Sequence, residues 1–204
     1  MVYLVTRSLL EEFARIFKEL TIMNIIFTGP PFAGKDTQAN LLANKLGIPV
    51  FSMGKLIRDA YKSGDIDAVE GFNKYSMKGK HIPIRLKFKF LKEKLDNVNS
   101  GYIIDNFPAT GEDLKTLNDY LKKKSIKIDK VFLLSISEDV MRNRIINRGR
   151  ADDNLGIIMR RRVEQDKDRI PVIEYYKEKR LLVELNGDDG IDNIQKKIFK
   201  ELDI

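Results

Sequence analysis

From Met23 onward, short runs of β-branched and other apolar residues alternate with longer amphipathic stretches. Continuous apolar runs of four to eight residues are typical of strands that are buried on both faces. Five runs follow this pattern: "NIIFTG" (24–29), "IPVFS" (48–52), "SGYIIDNFP" (100–108), "KVFLLSI" (130–136) and "LLVELN" (181–186). The pattern therefore predicts five buried strands.

The intervals between these runs have helical periodicity. "DTQANLLANKLG" ends at Gly47, which suits a helix closed by a glycine in the left-handed conformation. A short helix is predicted through Leu56 and Ile57, and longer helices over 112–124, over 138–147 and after Arg150. Strands separated by helices predict the α/β class, with a five-stranded parallel sheet flanked by helices.

A separate amphipathic pattern precedes the first strand. In residues 1–22, Leu9, Phe13, Ile16 and Leu20 recur at helical spacing, and charges interrupt every apolar run, which argues against a secretory signal. We interpret 1–22 as an N-terminal extension and 23–204 as the domain. The extension is either a helix packed on the domain or a segment before a biological start at Met23; a membrane or partner helix is a further alternative.

The lysine-rich stretch "IRLKFKFLKEKL" (84–95) resembles a nucleic-acid-binding patch in composition alone. Ile84, Phe88, Leu91 and Leu95 nevertheless fall on one face of a helix. We therefore expect its lysines to lie on a solvated helix face.

Composition narrows the class of protein. A chain of 204 residues with 43% hydrophobic residues can bury the core of one domain. Its lack of cysteine excludes disulfides and thiolate zinc sites and favours a cytoplasmic location. No apolar run approaches the ~20 residues that span a bilayer. The net charge of +7 predicts an anionic partner, either nucleic acid or a phosphorylated small molecule.

The loop from Gly29 to Lys35, "GPPFAGK", follows a predicted strand and opens a predicted helix. Backbone N–H groups of such a loop, together with the helix N-terminus, bind phosphate oxygens. Lys35 is expected to reach the β- and γ-phosphates, and Thr37 to bind Mg²⁺. Asp36 stands where Ser or Thr usually follows the lysine. We expect its peptide N–H to face the phosphates and its carboxylate to face solvent.

Four motifs in this order resemble the adenylate kinases and related nucleoside monophosphate kinases. "GPPFAGKDTQA" (29–39) is similar to the family loop "GxPGxGKGTQA". "FSMGKLIRDA" (51–60) is similar to "ISTGDLLR", and "GYIIDNFPAT" (101–110) to "GFLLDGFPRT". "RGRADDN", "RRR" and "IPVIEYY" (148–176) are similar to "GRxDD…R…PLIEYY". The resemblance extends from Met23 to the C-terminus and implies a P-loop NTPase fold with a small monophosphate-binding flap.

The family's reaction moves the γ-phosphoryl of ATP to a nucleoside monophosphate with Mg²⁺ and without a covalent intermediate. Catalysis of this kind rests on positioning and charge neutralisation. The resemblance implies the following catalytic residues: Lys35, Asp105, Arg144, Arg150 and Arg161. It implies the following ATP contacts: Phe32, Ala33, Gly34, Lys35, Asp36, Thr37, Arg144 and Arg148. Thr37 and Asp105 are implied to hold Mg²⁺, partly through water, and no zinc is expected.

The acceptor side follows from the same resemblance, with a flap over about 52–82 and a residual lid over about 148–151. The implied monophosphate contacts are Met53, Arg58, Lys80, His81, Ile82, Asn106, Phe107, Ala109, Asp113, Arg150 and Arg161. We interpret the neighbouring Arg160, Arg162 and Arg169 as surface charge.

The acceptor side also departs from the family pattern. Met53 and Lys55 replace Thr and Asp, Ala109 replaces the arginine that contacts the acceptor phosphate, and Asp113 replaces the glutamine that reads adenine. The lid is very short.

Three functions therefore stay open: a kinase for AMP, a kinase for CMP, UMP or a deoxynucleotide, and a nucleotide-binding regulatory protein without turnover. The expected partners are ATP and a monophosphate, with neither nucleic acid nor membrane, and the expected state is a monomer.

Overall fold

The structure, a computed structural model, describes residues 22–148 and 155–204. Its sheet has five parallel strands in the order β2-β3-β1-β4-β5. The strands are β1 (Asn24–Thr28), β2 (Val50–Ser52), β3 (Tyr102–Asp105), β4 (Lys130–Ser135) and β5 (Leu182–Asn186). All five predicted strands and the α/β class are confirmed.

Helices connect the strands and cover both faces of the sheet. In the described part of the chain they are α1 (Lys35–Leu46), α2 (Met53–Lys62), α3 (Ile66–Lys74), α4 (Ile84–Asp96), α5 (Gly111–Lys124), α6 (Glu138–Arg148), α7 (Leu155–Glu178) and α8 (Ile191–Glu201), with a 3₁₀ turn at Ser76–Lys78. Gly47 ends α1 with φ 67°, as its position in the sequence predicts.

The core lies in two layers, one on each face of the sheet. Because side chains alternate along a strand, Ile25 and Phe27 of β1 enter one layer while Ile26 enters the other. The first layer includes Leu42 of α1, and the second includes Leu117 of α5. Both layers fix the strands so that all five carboxyl ends meet at one edge of the sheet.

The prediction for the lysine-rich helix is wrong at one position. Leu91 and Leu95 of α4 are buried as expected, but so is Lys87, which is only 4% exposed. Its Nζ lies 2.8 Å from a carboxylate oxygen of Asp113, on α5. An ion-pair partner 26 residues away cannot be deduced from the periodicity of one helix.

Parts of the predicted domain organisation fall outside the described residues. These are the extension over 1–21 and the lid residues 149–151. Helix α6 ends at Arg148 and α7 begins at Leu155. Within the described ranges, no helix is both long and apolar enough to cross a membrane.

Gly29 is predicted to tolerate no side chain. Its φ is 136°, and a Cβ added there would lie 2.2 Å from the carbonyl oxygen of Leu134 in β4. We expect Gly29→Ala to lower the free energy of unfolding by on the order of 3 kcal/mol, from backbone strain and a forced shift of β4. Gly64→Ala is the matched control, because φ is 78° there but no atom lies within 4 Å of the added Cβ. Equal losses in urea denaturation would contradict the close approach at Gly29.

Candidate active site

A cavity of about 570 Å³ lies at the carboxyl ends of the strands. Ser52 and Asp105, which end β2 and β3, line it, and so does Gly187, which follows β5. Crevices at this edge of parallel sheets are the usual ligand sites of open α/β folds. The loop after β1 and the start of α1 supply one wall, and α2 with residues 80–82 supplies the opposite wall.

The phosphate loop forms the first wall. Gly34 precedes α1 with φ 89°, and no side chain caps the helix there. The first N–H groups of α1 are therefore open to an anion at the positive end of the helix dipole. Lys35, the first residue of α1, is 8% exposed, and its Nζ donates to the carbonyl oxygen of Pro30 at 2.7 Å.

Burial lowers the pKa of Lys35 to about 8, and nearby Asp105 opposes that shift. The loss of hydration that burial imposes disfavours the ammonium form. Phosphate oxygens beside Nζ would favour the ammonium form again and so would bind more tightly to the protonated lysine.

Asp36 does not disturb this wall. Its side chain is exposed, and its Oδ1 accepts a hydrogen bond from Asn40 Nδ2 at 3.2 Å. The carboxylate therefore faces away from the loop, as expected, and it lies in the first turn of α1, where the helix dipole favours an acid. The departure that strains the loop is Phe32, whose φ is 64°. This conformation costs roughly 1–2 kcal/mol for a residue other than glycine.

Arg144 of α6 holds the phosphate loop to the turn after β5. Its Nη1 donates to the carbonyl oxygen of Phe32 at 3.0 Å, and its Nη2 donates to that of Gly187 at 2.8 Å. The guanidinium lines the cavity. Of the other predicted arginines, Arg150 lies outside the described residues, as do the side chains of Arg148 and Arg161.

Asp105 lies at the floor of the site and is 5% exposed. Its Oδ2 accepts a hydrogen bond from the Ser52 hydroxyl at 2.8 Å, whereas its Oδ1 has no hydrogen-bond partner in residues 22–148 and 155–204. Burial raises the pKa of this carboxyl, and Lys35 opposes the shift. A buried carboxylate oxygen without a partner suits a hydrogen bond to a metal-bound water.

The residues around Asp105 fit a magnesium ion that is bound together with phosphate groups. The hydroxyl-bearing Thr37 is exposed and lines the cavity together with Asp105. The described residues include no group of three or more His, Cys, Asp or Glu side chains that could hold a metal. Mg²⁺ would therefore take most of its ligands from water and phosphate, which is its usual habit.

The opposite wall contains most of the predicted acceptor residues. Arg58 lies over Gly54, where an added Cβ would be 3.2 Å from its Nη1, so glycine gives the guanidinium room. The further cavity-lining members of the predicted set are Met53, Lys80, His81, Ile82, Asn106 and Ala109. His81 is half-buried, and burial together with the charge of Lys87 lowers its pKa, so the imidazole is neutral at pH 7.

Two predicted acceptor contacts are wrong. Asp113 is 1% exposed, and its carboxylate is occupied by Lys87 Nζ and by the N–H of Ala109, so it cannot read a base. Phe107 is fully buried in the core, where it stacks on Phe88 with ring centroids 6.0 Å apart. Asp113 instead fixes the turn at Ala109 and holds Lys87 at the cavity.

The wall formed after β5 was not predicted from the sequence. Gly187, Asp189 and Ile191 line the cavity, and so does Gln165 of α7. A Cβ on Gly187 would lie 2.6 Å from the carbonyl oxygen of Ala33, so the turn touches the phosphate loop. The signal was the turn sequence "NGDDG" (186–190) directly after the last strand.

The buried pair is predicted to be structural. Asp113→Asn keeps an acceptor for Ala109 but leaves the Lys87 charge buried alone, so we expect a loss of about 3–5 kcal/mol of unfolding free energy. The double variant Lys87→Met/Asp113→Asn should recover most of it. Asp119→Asn is the control, because its pair with Lys115 is exposed and screened by solvent, so we expect its loss to change the free energy of unfolding far less. Urea denaturation of wild type and the three variants measures the free energies of unfolding. Equal losses for Asp113→Asn and Asp119→Asn would contradict a structural role of the buried pair.

Comparison with known proteins supplies the family. The family described as adenylate kinase matches residues 27–181. An adenylate kinase of Prochlorococcus marinus is 35% identical over 181 residues, which cover 87% of this chain and 97% of that protein. Adenylate kinases of Leptospira biflexa and Mycobacterium bovis are 32% and 35% identical, covering 87% and 81% of this chain and 98% and 92% of their own. The chain belongs to the adenylate kinase family.

Proposed function

We propose that this enzyme transfers the γ-phosphoryl of Mg·ATP to AMP and so forms two molecules of ADP. One observation carries the proposal: the phosphate loop with Lys35 lines the same cavity as Arg58 and residues 80–82. The relatives named adenylate kinase over nearly their full length support AMP as the acceptor. CMP, UMP and deoxynucleotides are the less favoured acceptors.

On the donor side, Lys35 and the N–H groups of residues 33–37 would bind the β- and γ-phosphates. Arg144 would turn one of its N–H edges to these phosphates while keeping the turn at Gly187 in place. Arg148, Arg150 and Arg161, assigned from the motifs, would add positive charge around the transferred group. The protein supplies no nucleophile; it aligns two phosphates and neutralises their charge.

Thr37 and Asp105 would hold the magnesium that accompanies ATP, Thr37 directly and Asp105 through water. The ion would supply neutralisation of the negative charge on the ATP phosphates. Asp105 suits this role because its buried carboxylate already has one oxygen fixed by Ser52. Lys35 and Arg58 both favour its ionised form.

On the acceptor side, Arg58 would bind the phosphate of AMP. Met53 and Ile82, two apolar residues that line the cavity, would pack beside the base, and Lys80, His81, Asn106 and Ala109 would complete the wall. We propose that the flap comprises 52–82 and that 148–151 form a short lid. Donor and acceptor walls come from one chain, which supports a monomer, and the lack of cysteine supports a cytoplasmic location.

Acceptor choice and the role of Lys35 can be tested together. In a coupled assay with Mg·ATP, we expect AMP to be the best of AMP, CMP, UMP and dCMP. Lys35→Met should lower kcat by about 10²–10³-fold, because it removes a preorganised charge from the transferred phosphate. Lys45→Met is the control, since Lys45 lies in the exposed last turn of α1. Faster turnover of UMP or CMP, or near-normal turnover by Lys35→Met, would refute the proposal.

The lowered pKa of Lys35 predicts a pH dependence for ATP binding. The protonated form binds phosphate, so affinity should be full below pH 8 and should fall as the pH rises through about 8. The terminal phosphate of ATP loses its last proton near pH 6–7, so above about pH 7.5 it contributes no opposite change. Titration of wild type with ATP between pH 7.5 and 10 measures the effect. Lys35→Met should bind weakly at every pH, and the same decline in that variant would assign it to another group.

A further inference from the structure

Arg169 of α7 is a buried guanidinium that is only partly bonded. It is 2% exposed, and its Nη1 donates to Asp166 at 2.5 Å. Its Nε and Nη2 have no hydrogen-bond partner in the part of the chain that the structure describes. Buried donors are satisfied in nearly all native proteins, and leaving an ionised one without a partner is especially unfavourable. The sequence pattern predicts a surface charge at Arg169. That prediction is wrong, because the side chain is buried.

The position of Arg169 ties these donors to the cavity. Side chains on a helix lean toward its N-terminus, so Arg169 extends over the preceding turn, where Gln165 lines the cavity. The next side chain toward the N-terminus, Asp168, reaches His81 Nε2 at 3.5 Å. The charge of Arg169 also lowers the pKa values of both Lys35 and His81. Arg169 therefore lies close enough to Lys35 and to His81 for its charge to act on both.

The same stretch of α7 packs beside the turn that contains Ala109. A Cβ on Gly111 would lie 3.7 Å from the Cβ of Pro171, two residues after Arg169. Ala109 lines the cavity but offers no charge to a ligand. The stretch of α7 that carries Arg169 thus packs near the turn after β3, whose cavity-lining side chain, Ala109, is uncharged.

The charge of Arg169 is also incompletely neutralised. Among the described residues, the acid that accepts a hydrogen bond from Arg169 is Asp166, whose side chain is 44% exposed and lies 3.8 Å from Arg162 as well. Asp168 acts on the guanidinium without such a bond. Arginine stays protonated at every physiological pH. A dianionic phosphate in the cavity would therefore meet a guanidinium whose charge is not fully neutralised. It would also meet two parallel N–H donors, which is the geometry that phosphate prefers.

We propose that Arg169 binds the phosphate of the acceptor monophosphate through its Nε and Nη2. The ligand class is a phosphate monoester, and the nucleoside itself makes no contact with this side chain. The inference deepens the proposed function and rests on it for the identity of AMP. A purely structural guanidinium, or one satisfied by a buried water, is the competing explanation that the experiment decides.

The test measures binding without turnover. AMP, adenosine and ATP are titrated separately into wild type, Arg169→Gln and Arg169→Lys by calorimetry. We expect Arg169→Gln to weaken AMP about 10–100-fold, as loss of a charge-assisted phosphate contact does, while adenosine and ATP change less than about threefold. Arg169→Lys should fall between, because it keeps the charge and loses the fork. Arg142→Gln is the matched control, an exposed arginine that also pairs with one acid, Glu138.

Unchanged AMP affinity in a folded Arg169→Gln would overturn the proposal, whatever its melting temperature. Equal losses for AMP and adenosine would also overturn it, since they would show a collapsed site. If the variants do not fold, the arginine ¹⁵Nε resonances of wild type decide: AMP must shift the Arg169 signal and adenosine must not. If wild type prefers another monophosphate, the proposed acceptor fails, but the same comparison of that nucleotide with its nucleoside still tests Arg169.

Discussion

Burial of Lys35 against Asp105 is the constraint on which the rest of the site depends. The parallel sheet brings the ends of β1 and β3 together, so an ammonium and a carboxylate become neighbours in a place from which water is largely excluded. Neither group is fully satisfied by the other: the pKa of Lys35 is lowered and that of Asp105 is raised, in both cases chiefly by burial. The proposed phosphates and metal would relieve both effects at once and so tie ligand affinity to the architecture of the sheet.

The acceptor side shows how a departure from the family pattern is accommodated. An aspartate at position 113 would introduce a buried negative charge beside the monophosphate. Lys87 neutralises this charge, since its Nζ lies 2.8 Å from the carboxylate, and the N–H of Ala109 donates a hydrogen bond to the same carboxylate. The pair occupies the Asp113 carboxylate and so removes it from base recognition.

Much of this could be predicted from sequence because the signals are local. The strands, the phosphate loop and the C-cap at Gly47 each depend on residues within a few positions of one another. The buried partners could not be predicted, because Lys87 and Asp113 meet only after two helices have packed. Arg169 lay in a run rich in charge, where nothing local marks it as a side chain that turns inward. Phe32 and Asp36 both stand where the family loop has glycine. The sequence could not show which of them is strained, because only the loop geometry reveals the positive φ at Phe32.

Buried charge in this domain falls into two kinds, and the difference separates structure from function. Lys87 and Asp113 neutralise each other's charge within the fold, so the pair contributes to stability and local order. Asp105 Oδ1 and the two free nitrogens of Arg169 are buried without partners among the described residues. Burial of such groups is unfavourable for folding, because each loses its hydration and gains no hydrogen bond. They are tolerated where a ligand completes them, so the incompletely bonded charges mark the path of the phosphates from the loop at Lys35 to the acceptor wall.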